Sequence, residues 1–364
     1  CSMIVSGQPK MNGGKGAASV TAKPKLIVGL VVDQMRWDYL YRYQDLYSSG
    51  GFKRILSQGF SCENTMIPYI PTYTAVGHSC IYTGSVPAIM GIVGNNWYDR
   101  SIGKGMYCTT DTSVDGVGGT GTAGQMSPRN LWATSITDEL RMSTNFRSKV
   151  IGVSLKDRGA ILPAGHSANA AYWYDKGKFI SSTYYMNALP KWVNDFNANE
   201  YPAKTMNGVW NTLLPIDKYS MSTADAKNYE GTIPGIRTTT FPYRFDTVAA
   251  SKKTETFRYT PFGATYTLDF AKAAMEYEKM GAGAFSDFVC ISVSSTDYAG
   301  HSFGPNSIEL QDIYLRLDKD LESFLQYLDA KLGKGNYLFF LSADHGAAHN
   351  VGFMNEHKMP AGSF

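Results

Sequence analysis

The run KLIVGLVVDQ, residues 25–34, constrains this chain more than any other stretch: apolar residues follow one another without alternation and stop at a carboxylate, Asp33. A central parallel strand needs such a run, because helices cover both of its faces and neither side of the pleat meets water. The pattern recurs. KVIGVSLKDRG leaves Lys156 and Arg158 at its end, DFVCISVSSTDYAGH runs on to Asp297 and His301, and NYLFFLSADHG runs on to Asp344 and His345.

Helical periods separate these runs: GGFKRILSQG, TSITDELRMSTN with its capping residues, YTLDFAKAAMEYEKMGAG, and the long amphipathic SIELQDIYLRLDKDLESFLQYLDAKLG. Alternating helices and buried strands predict an α/β fold, an open, mostly parallel sheet with helices on both faces. Ligands in such folds collect at the carboxyl ends of the strands, where the charged side chains above would lie. Residues 25–165 and 267–364 are assigned to this core. Residues 166–266 are richer in Tyr, Thr, Asn and Pro and break the alternation, so they are assigned to an inserted cap. Within it AYWYDKGKFISSTYY reads as a hairpin about Lys176-Gly177 and PKWVNDFNAN as a short helix.

Composition narrows the class. Lys and Arg total 34 against 31 Asp and Glu, which leaves no footprint for nucleic acid or a charged membrane surface. No run approaches the roughly 20 apolar residues of a spanning helix. Residues 1–24 are small, polar and Gly-rich and are expected to form a flexible tether. Its leading Cys1 has the form of a processed bacterial lipoprotein, so a lipid anchor and an exported location, periplasmic or at the outer membrane of a Gram-negative cell, are expected. The remaining cysteines, Cys62, Cys80, Cys108 and Cys290, lack metal-type spacing and read mostly as small buried hydrophobes.

Asp33, Asp297, His301, Asp344 and His345 supply oxygen and nitrogen donors suited to zinc or a similar divalent ion. Any one of them alone would be an ordinary turn or hydrogen-bonding residue. Several at one sheet edge are different, because crowded carboxylates are costly without a cation. Asp297 and His301, four apart, would share a face of a helical turn. IPTYTAVGHSCIYTGS reads as a loop entering a helix at Thr74, whose hydroxyl is either a plain N-cap or, beside a metal, a nucleophile. His78, one turn on, reads as structural. Lys156 and Arg158 would face one side of a continuing strand and could hold the charge of a phosphate monoester.

The segments VVDQMRWDYL, IPTYTAVGHSCIYTGSVPAIMGIVGNNW, SLKDRGAI, STDYAGHSFGP and SADHGAA together resemble the alkaline phosphatase superfamily, most closely its PafA-type (phosphate-irrepressible) alkaline phosphatases. The resemblance implies an alkaline phosphatase-like fold and a monoesterase with two zinc ions about 4 Å apart. Asp33, Thr74, Asp344 and His345 would surround one zinc, and Asp297 and His301 would serve the other. Thr74 would be the transiently phosphorylated nucleophile. Asn95 would donate to a phosphoryl oxygen, and Lys156 with Arg158 would stabilise the transferring group. The partners implied are small phosphate monoesters, and the protein is expected to act as a monomer. The tyrosine-rich YWYDKGKF of the cap suits contact with the leaving group or plain packing.

The resemblance also implies a further His ligand of the second zinc, downstream of the DHG motif. Neither His349 nor His357 stands in a matching context, so the sequence is expected to be a fragment with an incomplete second site. Two other readings compete: a nucleotide pyrophosphatase or phosphodiesterase of the same superfamily, and a truncated, non-catalytic module that holds phosphate or metal. Sulfatases share the fold, but Cys80 is followed by IYTGS and lacks their nucleophile context.

Overall fold

The computed structural model describes residues 23–362. The tether expected over residues 1–24 therefore lies almost wholly outside the described residues, and Cys1 with it.

In chain order the main strands are β1 (Leu26–Val32), β2 (Gly116–Val117), β3 (Val150–Ser154), β4 (Ala170–Asp175), β5 (Lys178–Ser182), β6 (Asp287–Val293) and β7 (Tyr337–Ser342). They form one sheet in the order β7-β1-β6-β3-β4-β5-β2. The first five in that order are mutually parallel, with Leu26 opposite both Asp287 and Tyr337, so the expected parallel core is present. β5 returns antiparallel to β4, and β2 adds a short antiparallel edge. The helices that position the site are α1 (Phe52–Gln58), α2 (Thr74–Thr83), α3 (Ile136–Ser143), α4 (Asp157–Ala164), α5 (Lys191–Ala198), α6 (Pro261–Tyr277), α7 (Ser295–Phe303) and α8 (Ile308–Leu332).

The period of two along β1 sorts its side chains between two layers. Leu26, Val28, Leu30 and Val32 join a core with Phe270 and Ala274 of α6 and Ile313 and Leu317 of α8. Ile27 and Val31 turn the other way, toward Tyr82 of α2 and Ile161 of α4. Both faces are thus covered, which is why the run needs no polar residue until Asp33. Each such side chain removed from water contributes about 1.5–3 kcal/mol.

α3 starts where the capping pattern placed it. Ser135 Oγ accepts from the Asp138 N–H at 3.2 Å, and Asp138 Oδ2 accepts from the Ser135 N–H at 3.0 Å. The other oxygen, Asp138 Oδ1, accepts from the Ser167 N–H at 2.7 Å, tying α3 to the segment that enters β4.

Two expectations change. The hairpin about Lys176-Gly177 forms, with positive φ at both turn residues (44° and 92°), as a two-residue hairpin turn requires. Its strands β4 and β5 extend the main sheet rather than standing apart, because Ala170–Tyr174 is buried throughout and needs cover on both faces. The second change concerns Lys156 and Arg158. The strand does not continue to them: it stops at Ser154, whose Oγ accepts from the Lys156 N–H at 3.1 Å, and α4 begins at Asp157. Gly159 permits this turn, since a Cβ there would collide with the hydroxyls of Ser154 and Ser292.

Among the described residues no helix is long and apolar enough to cross a membrane. The four described cysteines are free; Cys108 and Cys290 are buried as expected, whereas Cys62 is exposed.

Candidate active site

Four parallel strands bring their carboxyl ends to one edge of the sheet, and the polar side chains read from the sequence meet there. Asp33 follows β1, Lys156 follows β3, Asp297 lies in the first turn of α7 after β6, and Asp344 and His345 follow β7. All five are buried. Lys156 Nζ sits between two carboxylates, 2.7 Å from Asp33 Oδ2 and 2.5 Å from Asp297 Oδ2, and 3.5 Å from Thr74 Oγ1. His301 Nε2 lies 3.1 Å from Asp297 Oδ1, so the four-residue spacing does share a helical face, although His301 itself is exposed.

The electrostatics follow from burial and crowding. Burial and then the neighbouring Asp344 push the Asp33 carboxyl up to about 7, with Lys156 opposing them. Burial acts to raise Asp297 as well, but Lys156 and His301 outweigh it and hold this carboxyl well below the usual range. Burial would lower the Lys156 ammonium, and the two carboxylates raise it instead, so it stays charged.

The donor set fits a cation. Asp33 Oδ1 and Asp344 Oδ2 are buried without a hydrogen-bond partner. Both face His345 Nε2, at 3.6 and 3.7 Å, and Asp297 Oδ1 lies 3.9 Å from the same nitrogen. One ligand atom each from Asp33, Asp297 and His345 fall within 4.8 Å of one another. His345 Nδ1 lies 2.9 Å from the Gly346 carbonyl; this bond places the ring proton on Nδ1 and leaves the Nε2 lone pair for a metal. Buried carboxylates and imidazole of this kind suit zinc or a similar divalent ion.

Thr74 is the first residue of α2. It is not the N-cap, which is Tyr73, and its side chain makes no capping bond. The Ala75 N–H donates instead to Asn95 Oδ1 at 2.9 Å, a remote cap that leaves the Asn95 amide hydrogens free to donate elsewhere. Arg158 Nη1 donates to the Tyr107 hydroxyl at 2.9 Å.

Three residues outside the expected set organise this edge. Gln34, at φ 64°, donates from its backbone to Asp344 Oδ1 at 3.1 Å and from its side chain to Asp297 Oδ1 at 2.9 Å. A non-glycine residue in the left-handed region beside a strand end marks such a site only once the backbone is known. Thr296 Oγ1 donates to the Asp33 carbonyl at 2.6 Å. His78, read as structural, is fully buried with Nδ1 2.9 Å from the Thr74 carbonyl and Nε2 2.8 Å from Ser292 Oγ. His349 stands apart from the donor cluster, engaged by Arg36 and Asn306.

Comparison with known proteins gives the family. The sequence profile of the type I phosphodiesterase / nucleotide pyrophosphatase family matches residues 27–360, and the chain belongs to that family. It is 61% identical over 343 residues to alkaline phosphatase PhoV of Synechococcus elongatus, a match covering 94% of this chain and 62% of that protein. It is 56% identical over 365 residues to alkaline phosphatase PafA of Elizabethkingia meningoseptica, covering 100% of this chain and 66% of that one. The crystal structure of wild-type PafA superposes with a TM-score of 0.92 at 57% identity, over 94% of this chain and 66% of that one. A second PafA structure, of a variant with a threonine, an asparagine, a lysine and an arginine replaced, gives the same TM-score of 0.92. The chain thus spans less than two thirds of the length of these curated relatives.

Proposed function

We propose that the protein is an alkaline phosphatase, a metal-dependent phosphate monoester hydrolase acting through a phosphothreonine on Thr74 at a two-zinc site. The observation that carries this reading is the convergence of two buried carboxylate oxygens, Asp33 Oδ1 and Asp344 Oδ2, on His345 Nε2, with Lys156 linking Asp33 to the Thr74 hydroxyl. The PhoV and PafA likenesses support the activity, and the residue types replaced in the PafA variant are those of Thr74, Asn95, Lys156 and Arg158.

Asp33, Asp344 and His345 would hold one ion beside Thr74, and Asp297 and His301 would serve the second. Divalent ions bound there would lower the pKa of a coordinated hydroxyl or water and neutralise charge developing on oxygen. The Thr74 hydroxyl attacks phosphorus: the bond to threonine forms as the bond to the alcohol breaks, and the alcohol leaves with a proton. Water then cleaves the phosphothreonine and regenerates the hydroxyl. The transition state of such transfers is loose, with charge spread over the non-bridging oxygens. The Asn95 amide, the Lys156 ammonium, the Arg158 guanidinium and the N-terminus of α2 are donors for those oxygens.

The family description favours a second reading, a phosphodiesterase or nucleotide pyrophosphatase. Two cations beyond the metal donors suit the dianionic monoester better than a singly charged diester. Turnover of an aryl phosphate compared with its methyl diester by the zinc-loaded protein decides the matter. Faster monoester cleavage, with a phosphate recovered on Thr74 by mass spectrometry, is expected; faster diester cleavage overturns the proposal. Zinc content near two per chain is expected, and one ion or none without turnover supports a binding module instead.

A further inference from the structure

A polar cavity of ≈ 240 Å³ opens beside Lys156 and Arg158, and it holds a third cation, Arg258, which the chemistry above does not use. Arg258 lies in a short helical turn, Phe257–Tyr259, of the segment assigned to the cap. Its guanidinium carbon is 5.2 Å from the Tyr174 ring centroid, and the Tyr174 hydroxyl is fixed by the Thr254 carbonyl at 3.0 Å. Stacking orients the guanidinium without neutralising it.

The arginines around this cavity lack ion-pair partners among the described residues. Lys156 is held by Asp33 and Asp297, which leaves two cations of the lining, Arg158 and Arg258, beside two carboxylates, Asp157 and Asp175. Asp157 is engaged by the hydroxyls of Tyr107 at 2.6 Å and Thr109 at 3.1 Å. Among the described residues neither Arg158 nor Arg258 has a carboxylate within ion-pair distance, and the Nε of each is buried without a partner. A guanidinium without a carboxylate partner keeps its outer N–H groups available for an anion. Lys156 and Arg158 suffice for one phosphoryl group. Arg258 exceeds that need, and the Trp173, Tyr174 and Tyr298 rings beside it suit the organic part of an ester.

We propose that this cavity is an accessory anion subsite in which Arg258 receives a second negatively charged group, a carboxylate or a further phosphate, borne by the alcohol part of the phosphate monoester. The inference rests on the monoesterase reading of the site.

The test compares kcat/KM for phenyl phosphate, meta-carboxyphenyl phosphate and meta-phenylene bisphosphate in the zinc-loaded parent and in Arg258→Ala, Arg258→Gln and Arg258→Lys. Both neutral replacements should lower the preference for the doubly anionic ester over phenyl phosphate about tenfold, through KM, with partial recovery in the lysine variant. The arm with the larger loss, carboxylate or phosphate, identifies the group received. A uniform fall on all three substrates, or no change on any, assigns Arg258 to packing and overturns the proposal. If the parent hydrolyses none of the esters, the phosphatase reading fails by itself. The subsite is then judged by calorimetry with phenylphosphonate and meta-carboxyphenylphosphonate: a preference for the latter that Arg258→Gln abolishes supports it, and equal affinities in parent and variant refute it.

Discussion

His78 Nδ1 lies 3.2 Å from Asp344 Oδ2, and both side chains are fully buried. The same nitrogen is 2.9 Å from the Thr74 carbonyl, so one imidazole joins the helix that carries Thr74 to the loop that carries Asp344 and His345. Burial would lower the imidazole pKa, but Asp344 raises it, and Asp344 in turn is brought down to about 2 by His78 against the effect of its own burial. Gly77 allows the close approach, because a Cβ there would strike the Asp344 backbone.

Replacing His78 by Leu leaves the Ser292 hydroxyl without its imidazole partner and Asp344 without its neighbour. A loss of about 1–3 kcal/mol in urea unfolding is expected. Zinc affinity should fall by about 10–100-fold, as for other groups that orient a metal ligand. Chelator competition measures the second effect, and an unchanged affinity would show that His78 merely packs.

Thr74→Ala should behave differently, since the side chain caps nothing. Turnover should drop by at least about a thousandfold while the melting temperature stays near that of the parent. Ordinary phosphatase activity in this variant would remove Thr74 from the role of nucleophile.

Lys156 neutralises Asp33 and Asp297 from within the chain. Lys156→Met leaves both carboxylates buried without it, at a cost of about 3–5 kcal/mol in the metal-free protein. Zinc should return much of that loss, so the gap between variant and parent melting temperatures should be wide in chelator and narrow in zinc. A gap of the same size in both solutions would contradict the shared-cation account.

Metal uptake should be proton-linked. With the Asp33 carboxyl at about 7 before an ion binds, a cation must displace its proton at lower pH. Zinc affinity is expected to rise with pH up to about 7 and then change less. For the metal-free fold the sign is opposite: a raised carboxyl stabilises it below the unfolded value of about 3.9, and that contribution fades as pH climbs through the folded value. Titrations at several pH values check the first statement, which a flat affinity would refute.

Asp138 gives the reverse dependence away from the site. Burial acts to raise it, but His166 and the N–H groups of Ser135 and Ser167 outweigh burial and hold it well below the usual range. Its contribution is complete above the unfolded carboxylate value of about 3.9 and is lost as pH falls toward the folded one. Asp138→Asn should therefore cost about 0.5–2 kcal/mol at neutral pH, with the difference shrinking below about pH 4. Urea midpoints for both proteins at pH 3 and pH 7 test this, and equal differences at the two values would contradict it.

The strands were legible because burial on both faces writes an unbroken apolar run, and the strand-end residues were legible because each run stops at a charge. The spacing of Asp297 and His301 carried its own geometry, since α7 begins at Ser295. Lys156 and Arg158 were harder: continuation of a strand and entry into a helix give similar local sequence there, and the tight packing of Gly159 that separates them is a tertiary fact. The sheet position of β4 and β5 was hidden for a related reason, since a hairpin's sequence does not say which strand lies beside it. Gln34 left no signal, because its left-handed backbone and both of its bonds depend on residues from the other end of the chain.

The pairing of β1 with β7 has a consequence for the order in which the molecule assembles. The backbone of Gln34 reaches the carboxylate of Asp344 across 310 residues of chain. During synthesis one edge of β1 waits for β7, about 300 residues later, and each parallel contact between them needs a long crossover to close first. Asp33 and Asp297 can therefore meet through β1 and β6 before Asp344 and His345 join them, and chains arrested before β7 leave one edge of the apolar β1 unpaired. Such chains are predisposed to aggregate rather than to act as weak enzymes.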